Sequence, residues 1–181
     1  MRKEIEVKAR LRDAAGVERK LEEFGCALSV PVRESDTVFT LSPDDFLKDP
    51  LGKNFLRIRE RGGKVLFTLK QPQKNNLDRI EREVEVSDAA EMREAIILMG
   101  YREGVRVVKR RRQGRCGGYE ICLDDVERLG PFIEVEKIAG NEDGEKVQEE
   151  LFAFLEELGV AREDRVFMGY DQLMLAERGR A

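Results

Sequence analysis

Residues 4 to 9 read Glu-Ile-Glu-Val-Lys-Ala, an alternation of charged and apolar side chains. Successive side chains of a strand point to opposite faces, so this order puts Glu4, Glu6 and Lys8 on one face and Ile5, Val7 and Ala9 on the other. A helix would scatter the same residues around its circumference. The pattern recurs along the chain. Arg57 and Arg59 share a face against Leu56 and Ile58. Arg79, Glu81, Glu83 and Glu85 alternate with Ile80, Val84 and Val86. Lys109 and Arg111 share a parity, Glu120, Cys122 and Asp124 alternate with Ile121 and Leu123, and Glu134 and Glu136 alternate with Ile133 and Val135. Such a chain must build a sheet whose apolar face is covered by other elements and whose charged face is either solvated or compensated.

Turn residues divide these segments into strands near 2–11, 35–41, 54–60, 64–70, 78–86, 105–112, 118–125 and 131–138, with Gly62-Gly63 and Gly117-Gly118 as hairpin signals. Helical periodicity falls near 13–24, 88–99, 142–158 and 170–177. Asp13 and Asp88 stand at N-cap positions, and Gly25, Gly100 and Gly159 stand where helices end. The sequence therefore predicts an α+β fold of eight strands and four helices. An internal echo accompanies it: Asp13-Ala14-Ala15 with Gly25 recurs as Asp88-Ala89-Ala90 with Gly100, each after a charged alternating strand. Two β-then-α halves are the expectation, with Glu6 matching Glu81 and Lys8 matching Glu83.

With 181 residues and no Pro-, Gly- or Ser-rich linker, the chain reads as one domain over 1–181. Charged residues make up 39%, yet the net charge is only −4, which lacks the basic excess of a general nucleic-acid binder. No apolar run approaches a membrane span and the N-terminus is charged from Arg2, so a cytoplasmic protein with no membrane partner is expected. Cys26, Cys116 and Cys122 lack the paired spacing of a zinc site and read as reduced, structural thiols. Histidine is absent, which removes Ser-His, Cys-His and His-metal chemistry and leaves Glu, Asp, Lys, Tyr or a metal-bound hydroxide as general base.

The charged faces admit two readings. One is a solvated sheet face, common in antiparallel sheets. The other starts from the segregation of sign, with Glu pairs on three strands and Arg or Lys pairs on two others. An eight-stranded antiparallel β-barrel with the charges inward would carry a polar lumen and pack its helices outside. Carboxylates on one wall and cations on another suit a metal-chelated polyphosphate: Mg²⁺ or Mn²⁺ takes carboxylate and phosphate oxygens, while Arg and Lys hold the remaining phosphate oxygens. No Walker loop or dinucleotide-binding glycine fingerprint offers another phosphate site.

Taken together, Glu4-x-Glu6-x-Lys8, Asp36 with Phe39, Leu56-Arg57-Ile58-Arg59, Thr68-Leu69-Lys70, Arg79-x-Glu81-x-Glu83, Lys109-x-Arg111, Leu123-Asp124-x-Val126, Leu129-Gly130-x-Phe132-x-Glu134-x-Glu136 and Tyr170-x-x-Leu173 resemble the CYTH, or triphosphate tunnel metalloenzyme, superfamily. Length and layout are most similar to its class IV adenylyl cyclases, and related members include thiamine triphosphatases and tripolyphosphatases. The resemblance implies a Mg²⁺- or Mn²⁺-dependent reaction on a triphosphate held in an eight-stranded tunnel. It assigns Glu4, Glu6, Glu134 and Glu136 as metal ligands, with Glu81, Glu83 and Asp124 near the metals. Lys8, Arg57, Arg59, Lys70, Lys109 and Arg111 would clamp the triphosphate, and Lys8, Glu6 and Glu136 would act in catalysis. ATP, tripolyphosphate and thiamine triphosphate are the implied substrates, and a homodimer is an assembly open to such a chain. Cyclisation of ATP to cyclic AMP and pyrophosphate, hydrolysis, and polyphosphate binding without chemistry all remain open at this stage. The closing segment reads Met168-Gly169-Tyr170 where a Ser-Tyr pair is common in the family.

Overall fold

The computed structural model describes residues 3–42, 51–75, 78–139 and 142–178. Along the chain run β1 (Lys3–Arg10), α1 (Ala14–Glu23), β2 (Val32–Thr40), β3 (Phe55–Arg61), β4 (Lys64–Asn75), β5 (Asp78–Val86), α2 (Ala89–Leu98), β6 (Arg102–Cys116), β7 (Tyr119–Val126), β8 (Gly130–Ala139), α3 (Gly144–Glu157), β9 (Arg165–Val166) and α4 (Tyr170–Arg178). The fold is α+β. Two compact units divide it, one from Met1–Val32 and Arg110–Phe167, the other from Arg33–Lys109 and Met168–Ala181.

The first unit carries the strand order β6-β7-β8-β1-β9, with β8 antiparallel to both β7 and β1. Register keeps the parity read from sequence. Val7 lies opposite Val135, and Val135 opposite Ile121, so the apolar positions of three strands line one face. All three are fully buried, each worth about 1.5–3 kcal/mol of burial. They pack with Val17 and Leu21 of α1 and with Val147, Leu151 and Leu155 of α3. Those helical residues recur at four-residue spacing, which gives each helix one apolar stripe to lay on the sheet.

The second unit carries β5-β4-β3-β2-β6, with antiparallel pairings from β2 through β5. Its core joins Phe39, Leu56 and Ile58 to Ile96 of α2, with Val65, Phe67 and Met92 packed around them. The β3–β4 turn is made by Gly62 and Gly63 at φ of 55° and 80°, a pair of positive angles that glycine adopts without steric cost and that suits a tight hairpin. The echo seen in sequence is visible in the helices. α1 and α2 are each 10 residues long. Asp13 and Asp88 accept backbone N–H groups at their starts, and Gly25 and Gly100 take positive φ just past their ends.

All eight expected strands form, and β4 and β6 run several residues beyond their expected ends. A ninth strand, β9, adds to the count; its two residues pair with Lys8 and Ala9 and are too few to show any alternation in sequence. The three cysteines are free and buried. Among the described residues, no helix is long and apolar enough to cross a membrane.

Candidate functional site

In the second unit the charged face of the sheet is a buried ion-pair network. β2, β3, β4 and β5 set its rows by register: Asp36 opposite Arg59, and Arg57 opposite Thr68, which lies opposite Glu83. Arg59 donates from Nε and Nη2 to the two carboxylate oxygens of Asp36, both at 2.7 Å, a bidentate pair. Arg57 donates to Thr68 Oγ1 and to Glu81 and Glu83 at 3.3 and 3.2 Å, while Thr68 Oγ1 donates to Glu83 at 3.0 Å. Lys70 closes on Glu81 at 2.5 Å, and Arg79 Nε lies 3.8 Å from the same carboxylate. Lys109 reaches Glu34 at 3.5 Å and Asp36 at 3.8 Å, with its ammonium 5.3 Å from the centre of the Tyr170 ring. Arg57, Arg59, Lys70 and Lys109 are all buried, as charged residues seldom are without partners.

Electrostatics follow from that packing. Burial pushes the Asp36 carboxyl up, but Arg59, through charge and hydrogen bond, and then Lys109 and Arg57 outweigh it and hold the group well below the usual carboxylate range. Glu81 behaves alike: Lys70, Arg57 and Arg79 overcome burial and lower it. Glu81 and Glu83, assigned near metals by the resemblance, are thus packed on cations of this cluster, and Glu83 is the more open, with a side chain 38% exposed.

The first unit holds a second, carboxylate-rich cluster. Lys8 lies opposite Glu134, and Glu134 opposite Cys122; one step along, Glu6, Glu136 and Glu120 form the neighbouring row. Lys8 Nζ is 2.9 Å from Glu134 and 3.6 Å from Glu6. Arg111 donates from Nε to Asp124 at 2.7 Å and from Nη2 to both Asp124 and Glu134. Burial would lower the Arg111 pKa, but Glu134 and Asp124 more than reverse this and fix its charge. Burial, with Glu134 and Asp124 adding to it, pushes the Cys122 thiol up to about 12 against the opposing pull of Arg111. Glu6, Lys8, Arg111, Asp124 and Glu134 are buried and Glu136 is half-buried. The backbone of Glu4 pairs with Ile138, while its side chain lies outside the described residues.

Each unit therefore gathers its own share of the residues singled out in sequence. Glu34 was not among them. It is fully buried, with Arg61, Arg59 and Lys109 at 3.3, 3.4 and 3.5 Å. Its signal was present, because Glu34 shares strand parity with Asp36. Tyr170, noted only as part of the closing helix, forms a wall over Lys109. Lys70, which could have been a solvated strand end, is buried, whereas Glu85 is exposed and pairs with Lys64 at 2.7 Å.

The donor chemistry of the carboxylate-rich cluster fits a hard divalent cation, since Glu6, Asp124, Glu134 and Glu136 offer only carboxylate oxygens on adjacent strands. Among the described residues no three such side chains are gathered at ligating spacing, because Lys8 and Arg111 hold Glu6, Glu134 and Asp124.

Comparison with known proteins gives this arrangement a family. The chain is 28% identical over 173 residues to the Methanocaldococcus jannaschii protein named "Putative adenylate cyclase MJ0240", covering 94% of this chain and 97% of that one. The solved structure of the PH1819 protein of Pyrococcus horikoshii superposes with a TM-score of 0.81 at 30% identity, over 97% of this chain and 99% of that chain. The PH1012 protein of the same organism gives 0.79 at 26% identity, over 94% and 98%. Residues 2–170 match the CYTH domain, a span that takes in both charged clusters, and the chain belongs to the CYTH domain family.

Proposed function

We propose that the protein is a divalent-metal-dependent enzyme acting on a triphosphate, with cyclisation of ATP to cyclic AMP and pyrophosphate as the favoured reaction. The observation that carries the proposal is the difference between the clusters: Arg57, Arg59, Lys70 and Lys109 are buried together on one set of strands, while Glu6, Asp124 and Glu134 crowd around Lys8 and Arg111 on another, with Glu136 opposite Glu6. In this reading the strands close into the family's eight-stranded tunnel with the charged faces inward.

Arg57 and Arg59 are the phosphate clamp. Their guanidinium groups are oriented by Thr68, Glu83 and Asp36, so donors that would otherwise be flexible are fixed before a polyanion arrives. Lys70 and Lys109 add compact positive charge to the same clamp. Glu6, Asp124, Glu134 and Glu136, with Glu4, would hold Mg²⁺ or Mn²⁺, which when bound would neutralise phosphate charge and polarise the reacting phosphoryl group. Lys8 and Arg111, beside these carboxylates, would face the phosphate oxygens of a bound triphosphate. Phosphoryl chemistry needs mainly positioning and charge stabilisation, and these side chains supply both.

Cyclisation is favoured by the similarity to the Methanocaldococcus jannaschii protein, whose name carries that activity. Hydrolysis of tripolyphosphate, thiamine triphosphate or a nucleoside triphosphate is the second reading, and it would use the same clamp, whose cations are suited to the phosphate oxygens common to all these substrates. Incubation with ATP, tripolyphosphate and thiamine triphosphate, each with Mg²⁺ or Mn²⁺, separates the readings. Cyclic AMP with pyrophosphate establishes cyclisation and free phosphate establishes hydrolysis. No product from any substrate overturns the enzymatic proposal and leaves polyphosphate binding.

A further inference from the structure

After α1 the chain turns at Gly25 and runs back along the end of β6. The Ser29 amide donates to the Gln113 carbonyl at 2.8 Å, and the Gln113 amide donates to the Ser29 hydroxyl at 3.0 Å. Gly114 comes next: a Cβ there would stand 2.7 Å from the Ala27 carbonyl oxygen, 3.0 Å from Cys26 Sγ and 3.1 Å from Leu28 Cδ2. Farther on, the Cys116 thiol lies 4.0 Å from the Phe24 carbonyl. One chain is descended as the other is climbed, which is antiparallel order, and counting from Ser29 and Gln113 puts Cys26 opposite Cys116.

Opposed residues of an antiparallel pair have Cα atoms about 4.5–5.5 Å apart, inside the roughly 4.4–6.8 Å that a disulfide spans. Both side chains lie in the same buried apolar cluster. Cys122 is placed apart from them. It shares its strand face with Glu120 and Asp124 and accepts from Gln113 Nε2 at 3.6 Å, whereas Cys116 has the opposite parity to Gln113 on β6 and belongs, with Cys26, to the apolar cluster.

We propose that Cys26 and Cys116 are a cross-linking site, oxidised by a small-molecule disulfide to a bond that ties the end of α1 to the end of β6 and leaves Cys122 as the free thiol. Cys116 reacts first, being slightly less buried than Cys26 and next to the Gly117-Gly118 turn. Its thiolate attacks one sulfur of oxidised glutathione and expels a glutathione thiolate, giving a mixed disulfide. The Cys26 thiolate then attacks the Cys116 sulfur and expels the second glutathione thiolate. Both cysteine protons end on the two glutathiones, so two protein thiols are oxidised as one small disulfide is reduced. Burial and the neighbouring Cys116 raise the Cys26 thiol pKa, so exchange waits on local opening and is slow.

The test uses the full chain, equilibrated either with oxidised glutathione or with a phosphine reductant, then alkylated in denaturant. The oxidised sample is expected to label only Cys122 and the reduced sample all three cysteines. A non-reducing peptide map should show the Cys26 and Cys116 peptides joined. The oxidised chain should unfold roughly 5–15 °C higher, as expected for closing a long loop. Cys26→Ser and Cys116→Ser should each abolish that redox-dependent difference, and the two wild-type samples decide the matter even if a serine variant fails to fold. Three labelled cysteines after glutathione treatment, glutathione adducts without a cross-link, a bond to Cys122, or an oxidised chain no more stable than the reduced one would each overturn the proposal.

Discussion

Arg57 and Lys8 are both buried among carboxylates, yet the proposed reaction asks different things of them. Arg57, held by Thr68, Glu81 and Glu83, would grip phosphate oxygens in ground and transition states alike. Arg57→Ala should therefore mainly raise KM, by an amount on the order of 1.5–3 kcal/mol in binding. Lys8 stands 2.9 Å from Glu134, beside the proposed metal carboxylates, where its ammonium would meet charge developing at phosphorus. Lys8→Ala should lower kcat more than it changes KM, and steady-state kinetics of the two variants on the best substrate check the split; an unchanged kcat would remove Lys8 from the mechanism. Asp36 has a structural duty instead. Asp36→Ala takes from buried Arg59 its bidentate carboxylate and from Lys109 one of its counter-charges, and about 3–5 kcal/mol of unfolding free energy should be lost in denaturant titration.

At the level of elements, closeness of approach decides what each segment tolerates. Gly114 lets the segment after α1 lie against β6, and Gly114→Ala would drive a methyl group into the Ala27 carbonyl oxygen, which belongs to backbone and cannot swing aside. That substitution should cost about 1–3 kcal/mol, read as a lower midpoint in thermal unfolding. By contrast Asp88→Ala removes only a cap, the acceptor for the Ala90 and Glu91 amides of α2. Its expected cost is about 1 kcal/mol, or roughly 2–4 °C in melting temperature. The caps and strand parities were legible in sequence because they depend on residues within one turn or one step of each other. The need for glycine at 114 was not, since the atoms it avoids lie more than eighty residues earlier in the chain.

For the whole molecule, two titrations probe the charged clusters. Divalent cation should raise the thermal midpoint of the wild-type chain, because Glu6, Asp124, Glu134 and Glu136 gain a counter-ion. Glu134→Gln should lose most activity and most of that cation-dependent shift while still unfolding cooperatively; full activity in excess chelator would refute the metal assignment. Acid acts on the other cluster. The Asp36 carboxyl is held well below its unfolded value, so its contribution to stability is complete above about pH 4 and is lost progressively as pH falls toward the folded pKa. Denaturant midpoints should decline from about pH 4 downward, and less steeply in Asp36→Asn. By itself the sequence determined which side of each strand is charged, where the helices begin and end, and the residues that mark the family, because alternation, caps and motifs are local properties of the chain. Tertiary structure alone decided the partners. Glu34 gathering Arg59, Arg61 and Lys109, Arg111 joining Asp124 to Glu134, and Cys26 entering the same apolar cluster as Cys116 all follow from register between distant strands and loops, which fixes distances that no local pattern encodes.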